Sequence, residues 1–134
     1  MSILASMMDT HPATGERPAQ AELIACLEAC RKCAQVCALC ADACLSEETV
    51  ADLRECIRTD LDCVDICTAT AAVLTRRGAD AALSRSLLEA CAVACETCGH
   101  ECDQHAGHHE HCRICAEACH RCAVACRDLL AALG

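Results

Sequence analysis

The sequence predicts an all-α fold, an antiparallel up-down-up-down four-helix bundle with a cysteine-lined core. Three observations predict it. Cysteine recurs at steps of 3 and 4, as in residues 26–44, CLEACRKCAQVCALCADAC. That is the period of one face of an α-helix. The chain of 134 residues is 54% hydrophobic yet has no Phe, Tyr or Trp, so Leu, Ile, Val, Ala and Cys must fill a core that normally leans on aromatic bulk. Breakers are few and well separated, and they leave four long uninterrupted stretches.

Residues 1–17 read as a flexible N-terminal arm or a short docking helix over 3–8, and residues 18–134 as the bundle domain. Pro18 is suited to open the first bundle helix, which runs to Leu45 and is on the order of 40 Å long. Ser46 can cap a second helix, with Glu47 and Glu48 in its first turn. That helix runs to Arg76-Arg77, and Gly78 stops it. Asp80 caps a third, reaching Gln104 or His105. Gly107 punctuates the chain before a fourth, from about His109 to Leu130. Short loops between long helices imply antiparallel neighbours.

Each helix carries a cysteine stripe. The first has Cys26, Cys30, Cys33, Cys37, Cys40 and Cys44; the second has Cys56, Cys63 and Cys67. The third has Cys91, Cys95, Cys98 and Cys102, and the fourth Cys112, Cys115, Cys119, Cys122 and Cys126. In a heptad reading these are a and d positions, so the four stripes line one interior. Sixteen of the 18 cysteines form C-x-x-x-C pairs. Cβ atoms four apart on a helix are about 5–6 Å apart, too far for an unstrained disulfide, which needs about 3.5–4.5 Å. A linear sulfur–metal–sulfur unit spans roughly 4.5 Å, so such a pair is a two-thiolate clip.

The first sixteen residues lack Lys and Arg and do not form a secretory signal. The single Arg pair lies mid-chain, so no twin-arginine signal is expected. The protein therefore reads as cytoplasmic with reduced thiols. A formal charge of −9 argues against nucleic acid, and no apolar stretch suits a membrane span.

Soft sulfur selects Cu(I), Zn or an iron–sulfur cluster. Zinc wants four ligands in a tetrahedron, and a cluster wants four cysteines around bulky sulfide. Cu(I) accepts two or three sulfurs and suits a narrow tube of thiols. Each thiolate brings one negative charge into a low-dielectric interior, where an unpaired charge costs several kcal/mol. One Cu(I) per cysteine cancels it, so multiple Cu(I) ions, close to the thiol count, are expected as cargo. The alternatives are a zinc or general soft-metal thiolate buffer, and a thiol redox or iron–sulfur protein. No catalytic constellation stands out, so the chain does not read as an enzyme. Glu117-x-x-His120 matches one half of a di-iron element, but a second copy is missing.

Antiparallel threading makes the two ends unlike. One gathers Leu23, Ile24, Val73, Leu74, Leu83, Leu87, Leu88, Leu129 and Leu130 as an apolar plug. The other carries GHECDQHAGHHEHC, residues 99–112, with five of the seven histidines. His105 continues the third stripe, and His108 and His109 lie four and three before Cys112. Two readings stand: a mouth where His105, with His108 or His109, passes copper inward, or a solvated polar loop. His100, His111 and His120 fall off the stripe and read as surface residues. Asp60 lies within the second stripe, and reads either as a minor ligand or a group behind the ligands, or as a partly exposed acid. Met7, Met8 and His11 could bind copper from the arm, with surface packing the plainer role.

C-x-x-x-C and C-x-x-C repeated over four helices resemble the bacterial copper storage proteins, and the absent signal with the histidines at the helix 3–4 end resembles their cytosolic branch. The likeness covers about residues 19–131. It implies a homotetramer of bundles and Cu(I) along each bundle axis, held largely within C-x-x-x-C pairs. It also implies outermost sites that include the mouth histidines. The second helix departs from the pattern in having only three cysteines.

Overall fold

A computed structural model describes residues 2–13, 15 and 17–134; positions 1, 14 and 16 of the arm lie outside the described residues. The helices are α1 Ile3–Asp9, α2 Gln20–Leu45, α3 Arg54–Thr75, α4 Ala81–His105 and α5 Glu110–Leu133, with a 3-10 turn over Val50–Leu53. In the bundle α2 packs on α3, α3 on α4, α4 on α5, and α5 back on α2. Sulfur pairs fix the directions. Cys56 near the start of α3 meets Cys102 near the end of α4 at 3.5 Å, and Cys67 meets Cys91 at 3.7 Å. Cys26 near the start of α2 meets Cys126 toward the end of α5 at 3.8 Å, and Cys37 meets Cys115 at 3.7 Å. The bundle is therefore up-down-up-down and antiparallel, as the short loops between long helices predict.

Small residues let the helices close. Ala41, Ala71, Ala92, Ala116 and Ala123 are buried beside the sulfurs, so nothing bulkier than leucine separates the backbones. The plug at one end is built by Leu23, Leu27, Leu74, Leu88 and Leu129, all buried. Each buried leucine contributes about 1.5–3 kcal/mol. Leu83, expected in the plug, is instead exposed in the first turn of α4. Leu53, from the 3-10 turn, is also buried in the core.

Side chains set the boundaries. Ser46 ends α2 rather than opening the next helix: its N–H donates to Asp42 and Ala43 carbonyls, and its Oγ donates to Asp42 O at 3.1 Å. A hydroxyl that bonds back to a preceding carbonyl terminates a turn instead of capping a new one. α3 then starts only at Arg54, after the 3-10 turn. Asp80 does cap α4, its Oδ2 accepting from Leu83 N–H at 2.9 Å. Asp80→Ala is expected to cost about 1 kcal/mol, read as a lower urea midpoint with an unchanged slope.

At the plugged end Arg17 Nη2 donates to Leu74 O at 2.8 Å and Arg85 Nη2 to Leu133 O at 3.0 Å. These bonds satisfy carbonyls that the ends of α3 and α5 leave open. The short α1 lays Leu4 and Met8 against the core, while Met7 is exposed. His11 Nδ1 accepts from Ala13 N–H at 3.0 Å. No helix among the described residues is long and apolar enough to cross a membrane.

Candidate metal centre

The helical spacing of the cysteines turns every one of them inward: all 18 are buried free thiols. Neighbouring sulfurs stand well beyond the length of about 2.05 Å that a disulfide requires. Within a helix, Cys33–Cys37 and Cys63–Cys67 lie 3.8 Å apart, and Cys26–Cys30 and Cys98–Cys102 4.0 Å. Sulfurs on different helices come as close or closer, with Cys37–Cys119 at 3.5 Å and Cys33–Cys63 and Cys67–Cys95 at 3.6 Å. Clips within one helix are thus not isolated from one another.

Four-sulfur groups follow from this packing. Cys30, Cys67, Cys91 and Cys122 bring one thiol from each bundle helix, all within 4.8 Å of one another. Cys33, Cys37, Cys63 and Cys119 form another such group, as do Cys33, Cys67, Cys95 and Cys122, and Cys37, Cys98, Cys115 and Cys119. Cys33, Cys37, Cys67, Cys119 and Cys122 each belong to two of these groups. Shared sulfurs make the core a continuous tube, in which a thiolate can bridge two soft monovalent ions. A single divalent tetrahedral ion uses such a network less completely.

Hydrogen bonding tunes the thiols unevenly. Bonds from Cys126 and Cys30 lower Cys26 to about 5. The nearby thiols of Cys102, Cys115 and Cys56 draw Cys40 below the ordinary thiol range, against the effect of burial, and its hydrogen-bond partner is His111 Nδ1 at 3.5 Å. Burial pushes its neighbours Cys44 and Cys112 up.

Asp60 is fully buried, which rules out the partly exposed reading. Its Oδ1 accepts from Cys98 at 3.1 Å, Cys115 at 3.3 Å and Cys102 at 3.7 Å, while Oδ2 is buried with no partner among the described residues. Burial first, then the charges of Cys115, Cys98 and Cys40, push its pKa up to about 12. In the metal-free protein it is a neutral acid among thiols.

The histidine end is arranged differently from the sequence expectation. His111, placed on the surface by its spacing, is half-buried, with Nδ1 3.5 Å from Cys40 Sγ and 3.6 Å from Cys112 Sγ. It groups with Cys40, Cys44 and Cys112, all four donor atoms within 4.8 Å. It lies four residues before Cys115, and this helical spacing was the signal available. Its Nε2 donates to Glu47 Oε2 at 2.9 Å. Burial lowers the pKa of His111, but its bonds to Cys40 and Glu47 outweigh this and raise it. His109 Nδ1 lies 2.9 Å from the same Glu47 Oε2, and the two rings stack with centroids 5.4 Å apart.

His105 is half-buried and pairs with Glu101 at 3.2 Å, whereas His108 is exposed on the α4–α5 turn. His120, on the outer surface, pairs with Asp103 at 2.8 Å. Its ring lies over Gly99, where a Cβ would come within 2.7 Å of Cε1. Glu117 is engaged by Arg121 at 2.6 Å on that surface, away from the buried sulfurs, so the half di-iron motif has no interior role.

Comparison with known proteins agrees with this core. The Streptomyces lividans copper storage protein Ccsp, loaded with 10 copper equivalents, superposes with a TM-score of 0.92 at 56% identity, covering 96% of this chain and 98% of that one. A form of the cytosolic copper storage protein from Streptomyces lividans with five coppers gives 0.84 at 62% identity, covering 85% and 96%. The Cu(I)-bound copper storage protein BsCsp3 gives 0.73 at 38% identity, covering 81% and 98%. The model of the copper storage protein family, Csp, matches residues 19–131. With a bundle whose interior is a tube of free thiols, this chain belongs to the copper storage protein family.

Proposed function

We propose that this protein stores Cu(I) in the cytosol, binding about one ion per cysteine through thiolates along the bundle axis and filling through the histidine end. The observation that carries this reading is the buried network of 18 free thiols, with sulfurs shared between neighbouring groups. All 18 cysteines serve as ligands, and His105, His109 and His111 serve at the mouth. His108, exposed on the turn, meets copper outside it. His111 is the innermost of these, because its Nδ1 already faces Cys40 and Cys112. The protein is a store and not an enzyme. The cytosolic location rests on the 62% identity to a relative described as cytosolic.

Uptake releases protons, since thiolates and not thiols bind the metal. The bundle assembles as a homotetramer. Leu39, Leu61, Val93, Ile114 and Val124 leave apolar surface on the outer faces of all four long helices, and a second copy of the chain covers such surface most simply.

Anaerobic titration against a competing chelator tests the storage reading. Saturation is expected near 18 Cu(I) per chain, the number of thiols. Zinc is expected to saturate at half that number or below, because each divalent ion neutralises two thiolates. Copper saturation at one or two ions per chain sinks the storage reading, and equal zinc and copper capacities favour a general soft-metal buffer.

A further inference from the structure

We propose that Glu47 is a positioning residue for copper uptake: one carboxylate oxygen fixes opposite tautomers on His109 and His111, so that His111 offers Nδ1 to the thiols of the mouth. The inference rests on the mouth reading above and adds to it a residue that is not itself a ligand.

Glu47 stands on the turn after α2, apart from every cysteine stripe, and reaches across to the start of α5. Its Oε2 lies 2.9 Å from His111 Nε2 and 2.9 Å from His109 Nδ1. Above the ordinary carboxylate range, about 4, such a side chain is ionised. An ionised carboxylate only accepts, so both facing nitrogens must carry hydrogen. A neutral imidazole has one N–H and one lone pair. His111 is thereby left with its lone pair on Nδ1, the nitrogen beside Cys40 and Cys112. His109, held by the other nitrogen, keeps its lone pair on Nε2.

The two stacked rings thus offer unlike nitrogens in succession. An incoming Cu(I) meets Nε2 of His109, then Nδ1 of His111, then Cys40 with Cys44 and Cys112. Glu47 stays out of the coordination sphere, where its hard oxygen suits Cu(I) poorly, while its negative charge attracts the arriving cation. A carboxylate behind a metal-binding histidine orients the ring, and its loss typically lowers affinity or activity by about 10–100-fold.

The test compares Glu47→Ala, Glu47→Gln and His111→Ala in the full chain, with Cu(I) delivered from a chelated donor. Glu47→Ala is expected to slow uptake of the first equivalents by about tenfold or more while leaving total capacity unchanged. Glu47→Gln keeps an acceptor oxygen and is expected to restore most of the rate. In the metal-free protein, at a pH high enough that further base no longer changes either ring's nitrogen shifts, nitrogen NMR should show opposite fixed tautomers for His109 and His111, and averaged ones in Glu47→Ala. If Glu47→Ala keeps the fixed tautomers, or loads at the wild-type rate while His111→Ala is slow, the role of Glu47 alone is overturned. If His111→Ala also loads at the wild-type rate, copper does not pass this histidine and the mouth reading falls too.

Discussion

Filling the core with Cu(I) is expected to raise the thermal midpoint by tens of degrees without changing the helix content. The metal-free bundle already has what a folded state needs: a leucine plug, a capped start to α4, and 18 buried free thiols. Cysteine is a small apolar residue in that state, but it packs less than leucine would, so the margin is modest. Each ion held at about a thousand times its dissociation constant adds about 4 kcal/mol to the folded state. In a chain of this size about 1 kcal/mol moves the midpoint by several degrees. A few bound ions therefore shift it far. Far-ultraviolet circular dichroism of the metal-free and loaded protein checks both halves. A metal-free chain without helical signal would mean that metal, not packing, folds it.

Replacing Asp60 by Asn is expected to stabilise the metal-free protein by roughly 2 kcal/mol near pH 8 and to flatten its pH dependence. In the folded state burial, with the charges of Cys115, Cys98 and Cys40, pushes Asp60 up to about 12. In the unfolded chain it ionises near 3.9, as an ordinary carboxylate does. Between those limits the folded state holds a proton that the unfolded state has lost, so stability falls as pH rises across the window. Each pH unit is worth at most about 1.4 kcal/mol, reduced by relaxation around the site. Asparagine stays neutral and keeps a carbonyl for the Cys98 and Cys115 hydrogens, whose sulfurs lie 3.1 and 3.3 Å from Oδ1. Urea unfolding of both proteins under reducing, metal-free conditions at about pH 5 and about pH 8 isolates the Asp60 contribution. Parallel pH profiles would show that Asp60 ionises normally in the fold.

Particular residues show how far local pattern carries and where it stops. The cysteine steps place every sulfur correctly on an inner face, because the helical period follows from backbone geometry alone. Asp80 as a cap is equally local, since its partner is Leu83 N–H, three residues on. Ser46 misled because a hydroxyl before acidic residues fits a helix start, while here it bonds back to Asp42. Leu83 misled because apolar character does not say which side of a first turn meets its neighbours. His111 flanks its stripe, and only the approach of α2 turns that flank into an inner surface.

By itself the sequence determined four helices, their order, a thiol face on each and the unlike character of the two ends. These depend on neighbours within a turn or two of chain. The tertiary structure decided which sulfurs meet across helices, that Asp60 is sealed among thiols, and that Glu47 and His111, 64 residues apart, share a hydrogen bond. Those are through-space distances, set by how closely alanine and cysteine let four helices approach, and no spacing along the chain encodes them.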